Sequence, residues 1–232
     1  MNLILQCKHI EKSFRGRSGE IQILKGIDLS VERGTFVVIF GRSGAGESTL
    51  LSILAGLDRP TAGSVIFNGA DMRSSSSAQT ALLRRNRIGV IFQNFNLIST
   101  WTALENVEAA LLHRNLSAKK RAPRAASILS DMGLSHRLTS LPSELSIGEQ
   151  QRIAVARTLA AEPELVLADE PTGSLDPETG SIVLTMLTDH VKKSGATLLV
   201  VTHGNFPVSK AQIVYTLDSG RLNNPVTQGS LN

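Results

Sequence analysis

The chain has 232 residues, 41% of them hydrophobic, enough for one sizeable domain or a core domain with lobes. Its formal net charge is only +4, and the small clusters at Arg84, Arg85 and Arg87 and at Lys119 to Arg121 suit a solvated face, not a nucleic-acid arm. One cysteine, Cys7, excludes an internal disulfide, and no apolar run approaches a membrane span or a signal peptide, so a soluble, cytoplasmic chain is expected.

In chain order, Leu3 to His9 and Ile23 to Val31 read as strands around a polar turn from Gly16 to Glu20. Thr35 to Phe40 (TFVVIF) is short and β-branched, the pattern of a buried strand, and Leu50, Leu51, Ile53, Leu54 and Leu57 mark the apolar face of a helix. Arg59 to Gly63 is a turn signal before the strand SVIFNG, Ser74 to Ser77 reads as an exposed connection, and RIGVIF (87–92) reads as another buried strand. From Thr102 to about Ser140 the pattern is helical, with Pro123 expected to start a helix rather than sit inside one. A helix over 146–161, a strand over 164–168, a helix over 177–193, a strand over 197–201 and a strand from Ile213 to Leu217 follow. This alternation predicts an α/β fold, a mainly parallel sheet with helices on both faces.

Between the strand ending at Phe40 and the next helix lies GRSGAGEST (41–49). Gly41, Gly46 and Ser48 match a phosphate-binding loop, with Arg42, Ser43, Gly44, Ala45 and Thr49 filling the rest of it. A glycine turn there leaves backbone N–H groups free around a phosphate at the positive end of a helix, and Ser48 offers a hydroxyl to magnesium. Glu47 stands where such loops carry lysine. A unit pair at about 4 Å is worth about 4 kcal/mol at an effective dielectric near 20, so reversing the charge costs several kcal/mol before screening. A carboxylate in a first helical turn stabilises the helix by about 0.3–1 kcal/mol, so Glu47 is expected to spare the fold and harm the nucleotide chemistry.

Residues 165–170 (LVLADE) are an apolar strand ending in two acids. Asp169 at the strand tip suits magnesium, and Glu170 suits a general base that polarises water; a plain acidic turn is the simpler alternative. In LSIGEQQR (145–152), Ser146 and Glu149 form a capping box, and Ile153, Ala156, Leu159 and Ala160 give the stripe of the helix it opens. That start, with Gly148 in it, is also an anion site.

Together these motifs resemble an ATP-binding cassette of an ABC transporter over nearly the whole chain. Their order carries the resemblance: phosphate loop at 41–49, Gln93 after a strand, signature at 145–151, acidic strand at 165–170, SLD at 174–176, His203 after a strand. GLDRPTAG (56–63), FQNFNLI (92–98), TALENV (102–107), PSEL (142–145) and LADEPTGSLD (167–176) are similar to the ATPases of lipoprotein-releasing and macrolide-exporting transporters. The resemblance implies one cassette domain over residues 1–222, with an N-terminal antiparallel β-subdomain and a helical subdomain at about 94–160, then a polar tail over 223–232. It implies ATP and Mg2+ as ligands. Gly41 to Thr49 would wrap the phosphates and Phe14 would stack on adenine. Gln93 would touch magnesium and the attacking water, with Asp169 supporting the metal. Glu170 would be the catalytic base and His203 would contact the γ-phosphate. Ser146, Gly148 and Glu149 would complete the site of a second copy, with Asp176 bridging the halves of a head-to-tail homodimer. Residues 94–106 would pass the motion to integral-membrane permease subunits, holding the chain at the inner face of the membrane.

The departures are Glu47, Ile147 in place of the first signature glycine, and Gly204 after His203 where aspartate is common. Arg42 swinging inward is one way to offset Glu47. The leading expectation is an ATPase subunit coupled to a permease, with hydrolysis impaired by Glu47. The rivals are a non-hydrolysing regulatory or interaction subunit, and a soluble cassette acting on DNA or ribosomes; the second of these usually has a long coiled coil or two cassettes, and neither is present.

Overall fold

The computed structural model describes residues 2–16, 19–42, 44–114, 116–203 and 206–227. Ser43 and Gly204 therefore lie outside the described residues. Strands β1 (Leu3–Gly16) and β2 (Gly19–Glu32) form a long antiparallel hairpin, joined by β4 (Ala62–Phe67) and β5 (Ala70–Asp71) in a sheet of order β2-β1-β4-β5. The second sheet takes β3 (Phe36–Gly41), β6 (Ile88–Ile91), β7 (Leu165–Asp169), β8 (Thr197–Thr202) and β9 (Ile213–Asp218) in the order β6-β7-β8-β3-β9, all parallel. Two short strands, β10 (Arg221–Leu222) and β11 (Val226–Thr227), pair antiparallel with β9.

The buried strands are apolar on both faces, as helix-covered parallel strands must be. Val38, Val166, Ala168, Leu198 and Val200 face one core, shared with α3 (Ala103–Ala110), α4 (Ala118–Asp131), α5 (Ile147–Ala160) and α6 (Pro177–Ser194). Their neighbours Val37, Ile39, Leu165, Leu167, Leu199 and Val201 face the other, shared with α1 (Glu47–Leu54) and the antiparallel sheet. The period-2 alternation of strand side chains thus assigns one helical layer and one mixed layer to the two faces.

Several expectations need correction. The first two strands run well beyond Leu3–His9 and Ile23–Val31, because register shifts between Cys7 and Ile10 let the hairpin continue past His9, which has a positive φ of 48°. The serine-rich connection contains the start of α2 (Ser77–Asn86), whose Ser76 and Gln79 form a reciprocal capping box. Serine there is a helix cap, not loop filler. Pro123 sits inside α4 instead of starting it. It is exposed, and the helix starts earlier, at Ala118, after Ser117. Strand pairing also continues past Leu222, with Val226 and Thr227 opposite Val214 and Ile213.

Candidate functional site

Parallel strands bring their carboxyl ends to one edge, and crevices for ligands open there. Gly41 ends β3, Asp169 ends β7, Gln93 follows β6 and His203 follows β8, so four sequence-distant motifs share that edge.

In the loop after β3, the Ala45 N–H donates to the Arg42 carbonyl at 2.8 Å and the Leu50 N–H to the Gly46 carbonyl at 2.8 Å, which turns the chain into α1. Gly44 and Gly46 have φ of 85° and 106°, and a side chain at Gly46 would meet Leu24 as well as backbone strain. Glu47 opens α1, and its side chain doubles back across the end of β3 so closely that a Cβ at Gly41 would collide with it. Among the described residues Glu47 has no hydrogen-bond or ion-pair partner, and Arg42 is exposed without pairing to it. The offset by Arg42 is not formed. Thr49 is half-buried in the same first turn.

Opposite the loop, the Ser48 hydroxyl stands close enough to the Asp169 carboxylate to favour its charged form. Burial pushes the Asp169 carboxyl above the ordinary value; the Ser48 hydroxyl opposes this and the neighbouring Glu170 charge adds to it. Such a carboxylate is relieved by a cation. The donor set is of hard oxygens: Ser48, Asp169 and the amide oxygen of Gln93, which has no partner among the described residues. These residues fit magnesium.

Glu170 stands in left-handed backbone, φ 46°, with its N–H tied to the Val201 carbonyl at 2.9 Å. Its side chain is held from both sides. Gln93 Nε2 donates to Oε2 at 3.0 Å, and His203 Nδ1 bonds Oε1. A side chain at Gly173 would meet Glu170 Oε2 at 2.8 Å, so glycine keeps that flank open. The arrangement presents one oriented, mostly buried carboxylate beside an exposed imidazole, at the mouth of the loop.

The signature segment is elsewhere. Ser146 caps α5, accepting from the Glu149 N–H at 3.2 Å while Glu149 Oε2 accepts from the Ser146 N–H at 2.8 Å. Glu149 Oε1 accepts from Arg137 Nε at 2.8 Å, so both carboxylate oxygens are engaged. Burial works to raise the Glu149 carboxyl, and the Ser146 backbone and Arg137 outweigh it, leaving it below the ordinary value. A side chain at Gly148 would meet Thr179 Cγ2 at 2.7 Å, so the starts of α5 and α6 touch because residue 148 is glycine. Asp176 caps α6 through the Thr179 N–H at 3.0 Å, a bond that lowers its carboxyl pKa. Among the described residues no hydrogen bond or ion pair joins residues 145–149 to the loop at 41–49. Ile147 is 53% exposed beside Ser146. Phe14, on β1, is 47% exposed.

Sequence reasoning missed the residues that hold the segment after Gln93. Phe95 and Asn96 have positive φ, and the Arg157 guanidinium of α5 donates to both of their carbonyls at 2.8 and 2.6 Å. Asn106 of α3 is fully buried and bonds the backbone of Ile98 and Trp101. The available signals were an arginine next to the apolar stripe of α5 and an asparagine in the middle of the α3 pattern.

The model of the ABC transporter family matches residues 24–173, more than half of the chain. The chain belongs to the ABC transporter family. It is 44% identical over 200 residues to the lipoprotein-releasing system ATP-binding protein LolD of Syntrophus aciditrophicus (strain SB), spanning 86% of this chain and 90% of that one. It is 39% identical over 220 residues to the macrolide export ATP-binding/permease protein MacB of Nitrosomonas europaea, covering 94% of this chain but 33% of that longer protein. Among solved structures it is similar to the dimeric post-hydrolysis state of the ATP-binding cassette MJ0796 bound to ADP and Pi, with TM-score 0.90, 35% identity and 96% and 98% of the two chains covered. The chain is thus an ABC cassette, the ATP-binding subunit of a transporter of the LolD kind. Among the described residues no helix is long and apolar enough to cross a membrane.

Proposed function

We propose that this subunit binds ATP between two copies of itself and couples closing and reopening of the pair to a separate membrane permease, at the inner face of the membrane. The observation that carries the reading is Glu170, held by Gln93 and His203 at the mouth of the phosphate loop and beside the Ser48–Asp169 pair. Glu170 takes the proton of the attacking water, Gln93 and His203 fix its carboxylate, and the loop N–H groups hold the phosphates. Ser48, Asp169 and Gln93 would hold magnesium, which would supply positive charge to the outer phosphates. Phe14 carries the adenine. Ser146 and Gly148 of one copy close the site of the other, while Glu149, committed to Ser146 and Arg137, shapes that surface from behind. The permease moves a lipoprotein, lipid or drug-like substrate, in keeping with the relatives named for lipoprotein release and macrolide export.

Glu47 sets this chain apart: its carboxylate lies over Gly41, and among the described residues no cation pairs with it. ATP binding is weak and turnover low in consequence. The same observation favours a second reading, a non-hydrolysing regulatory or interaction subunit whose biological function Glu47→Lys leaves unchanged. The test of the site is Glu170→Gln in a Glu47→Lys chain. ATP binding and ATP-dependent dimerisation persist and hydrolysis is lost; hydrolysis that survives removes Glu170 from its role.

A further inference from the structure

The turn motif at 56–63 has no part in the site described above, yet one side chain joins it to the adenine side. Lys12 precedes Phe14 by two residues on β1, so both side chains leave the same face of the strand. The Lys12 ammonium lies 4.9 Å from the centroid of the Phe14 ring, within cation–π reach. The same nitrogen donates to Asp58 Oδ1 and to the Arg59 carbonyl, each at 2.8 Å, and the Lys12 side chain is only 12% exposed. Two further bonds surround it: the Thr61 N–H donates to the Glu11 carbonyl at 2.8 Å, and the Ser13 N–H to Thr61 Oγ1 at 3.0 Å. Asp58 and Arg59 lie just beyond the C-terminus of α1, the helix whose N-terminus is the phosphate loop. Lys12 therefore staples the strand that bears Phe14 to the helix that bears the loop.

We propose that Lys12 is a positioning residue for base recognition: anchored by Asp58 and the Arg59 carbonyl, its ammonium covers one face of the Phe14 ring and leaves the opposite face for a purine. This rests on the reading of Phe14 as the adenine shelf. An exposed aromatic with a free ring must be ordered when a base stacks on it, at a cost in affinity. Lys12 orders the ring beforehand and fixes the shelf relative to the phosphate loop. The ring's electron-rich face is what attracts the cation, so ring and ammonium are matched partners and not incidental neighbours.

The test compares calorimetric binding of MgATP with that of magnesium tripolyphosphate, which has no base, in the Glu47→Lys chain alone and with Lys12→Met, Asp58→Asn or Phe14→Ala added. Methionine keeps an apolar stem over the ring and loses the charge. Lys12→Met raises the ATP Kd about two- to fivefold and leaves tripolyphosphate unchanged. Asp58→Asn, which loosens the ammonium without removing it, gives a smaller change of the same base-specific kind, and serves where Lys12→Met does not fold. Equal weakening of both ligands makes Lys12 a mere strut and overturns the proposal, as does an unchanged ATP Kd in Lys12→Met when Phe14→Ala raises it. An ATP Kd that Phe14→Ala leaves unchanged overturns the adenine-shelf reading itself.

Discussion

Asn106→Ala tests how the segment that follows Gln93 is held. The Asn106 side chain is fully buried on α3. Its Oδ1 accepts from the Ile98 N–H at 2.8 Å, and its Nδ2 lies 3.2, 3.1 and 3.0 Å from the carbonyls of Ile98, Trp101 and Thr102. The Thr102 carbonyl is already paired with the Asn106 N–H, so it loses little. The Ile98 carbonyl likewise keeps the Trp101 N–H at 3.1 Å, so the groups that lose their amide partner are the Ile98 N–H and the Trp101 carbonyl. At about 1 kcal/mol for each bond, and somewhat more for a donor left buried, the loss is about 2–4 kcal/mol. For a domain of this size that is a fall in Tm of about 5–15 °C. Denaturant unfolding gives the total, and amide exchange at Ile98 shows where it falls: the midpoint drops with little change in slope, and Ile98 exchanges faster. A loss below about 0.5 kcal/mol, with Ile98 still protected, refutes the reasoning, since buried polar groups would then have found other partners.

Gly148→Ala drives a methyl into Thr179 Cγ2 and parts the starts of α5 and α6, destabilising the chain by about 1–3 kcal/mol in urea unfolding, and adding Thr179→Ser, which removes that methyl, restores most of it. Glu164 is hydrogen-bonded by Asn68 and Arg33 and paired with Arg87; burial works to raise its carboxyl, and these partners outweigh it, leaving it below the ordinary value. A depressed carboxyl stabilises the fold above its unfolded pKa, and that contribution is lost as pH falls through the folded value. Glu164→Gln therefore flattens the acid limb of the stability profile below about pH 4.5 and changes little of its slope near neutrality; an acid limb as steep as in the unsubstituted chain contradicts this.

Much of the site was legible because its physics is local. The run Thr35 to Phe40 is β-branched, the glycines at 41, 44 and 46 allow the turn, and Leu50, Leu51, Ile53 and Leu54 face one core, so strand, loop and helix could be read within twenty residues. The capping boxes of Ser146 with Glu149, and the acids at the tip of β7, are similarly self-contained. What was not legible depends on distant partners. The hairpin outruns its expected strands because bulges at Cys7 to Ile10 reset the alternation. α2 has little apolar signal, so its serine cap read as loop. Pro123 is tolerated in α4 because its helix face is exposed, a property fixed only by packing. Lys12, Asn106 and Arg157 act on backbone and side-chain groups brought to them by the fold. Gln93 and His203 meet Glu170 only because β6, β7 and β8 lie side by side.

Within the loop at 41–49, the charge of Glu47 is what opposes the phosphates. Steady-state ATP hydrolysis, measured side by side for this chain and for Glu47→Lys with magnesium, tests it most directly. A charge reversal worth up to about 4 kcal/mol, softened by water and magnesium, puts the Glu47→Lys rate about ten- to a thousandfold higher at subsaturating ATP. Equal rates in the two proteins contradict the account.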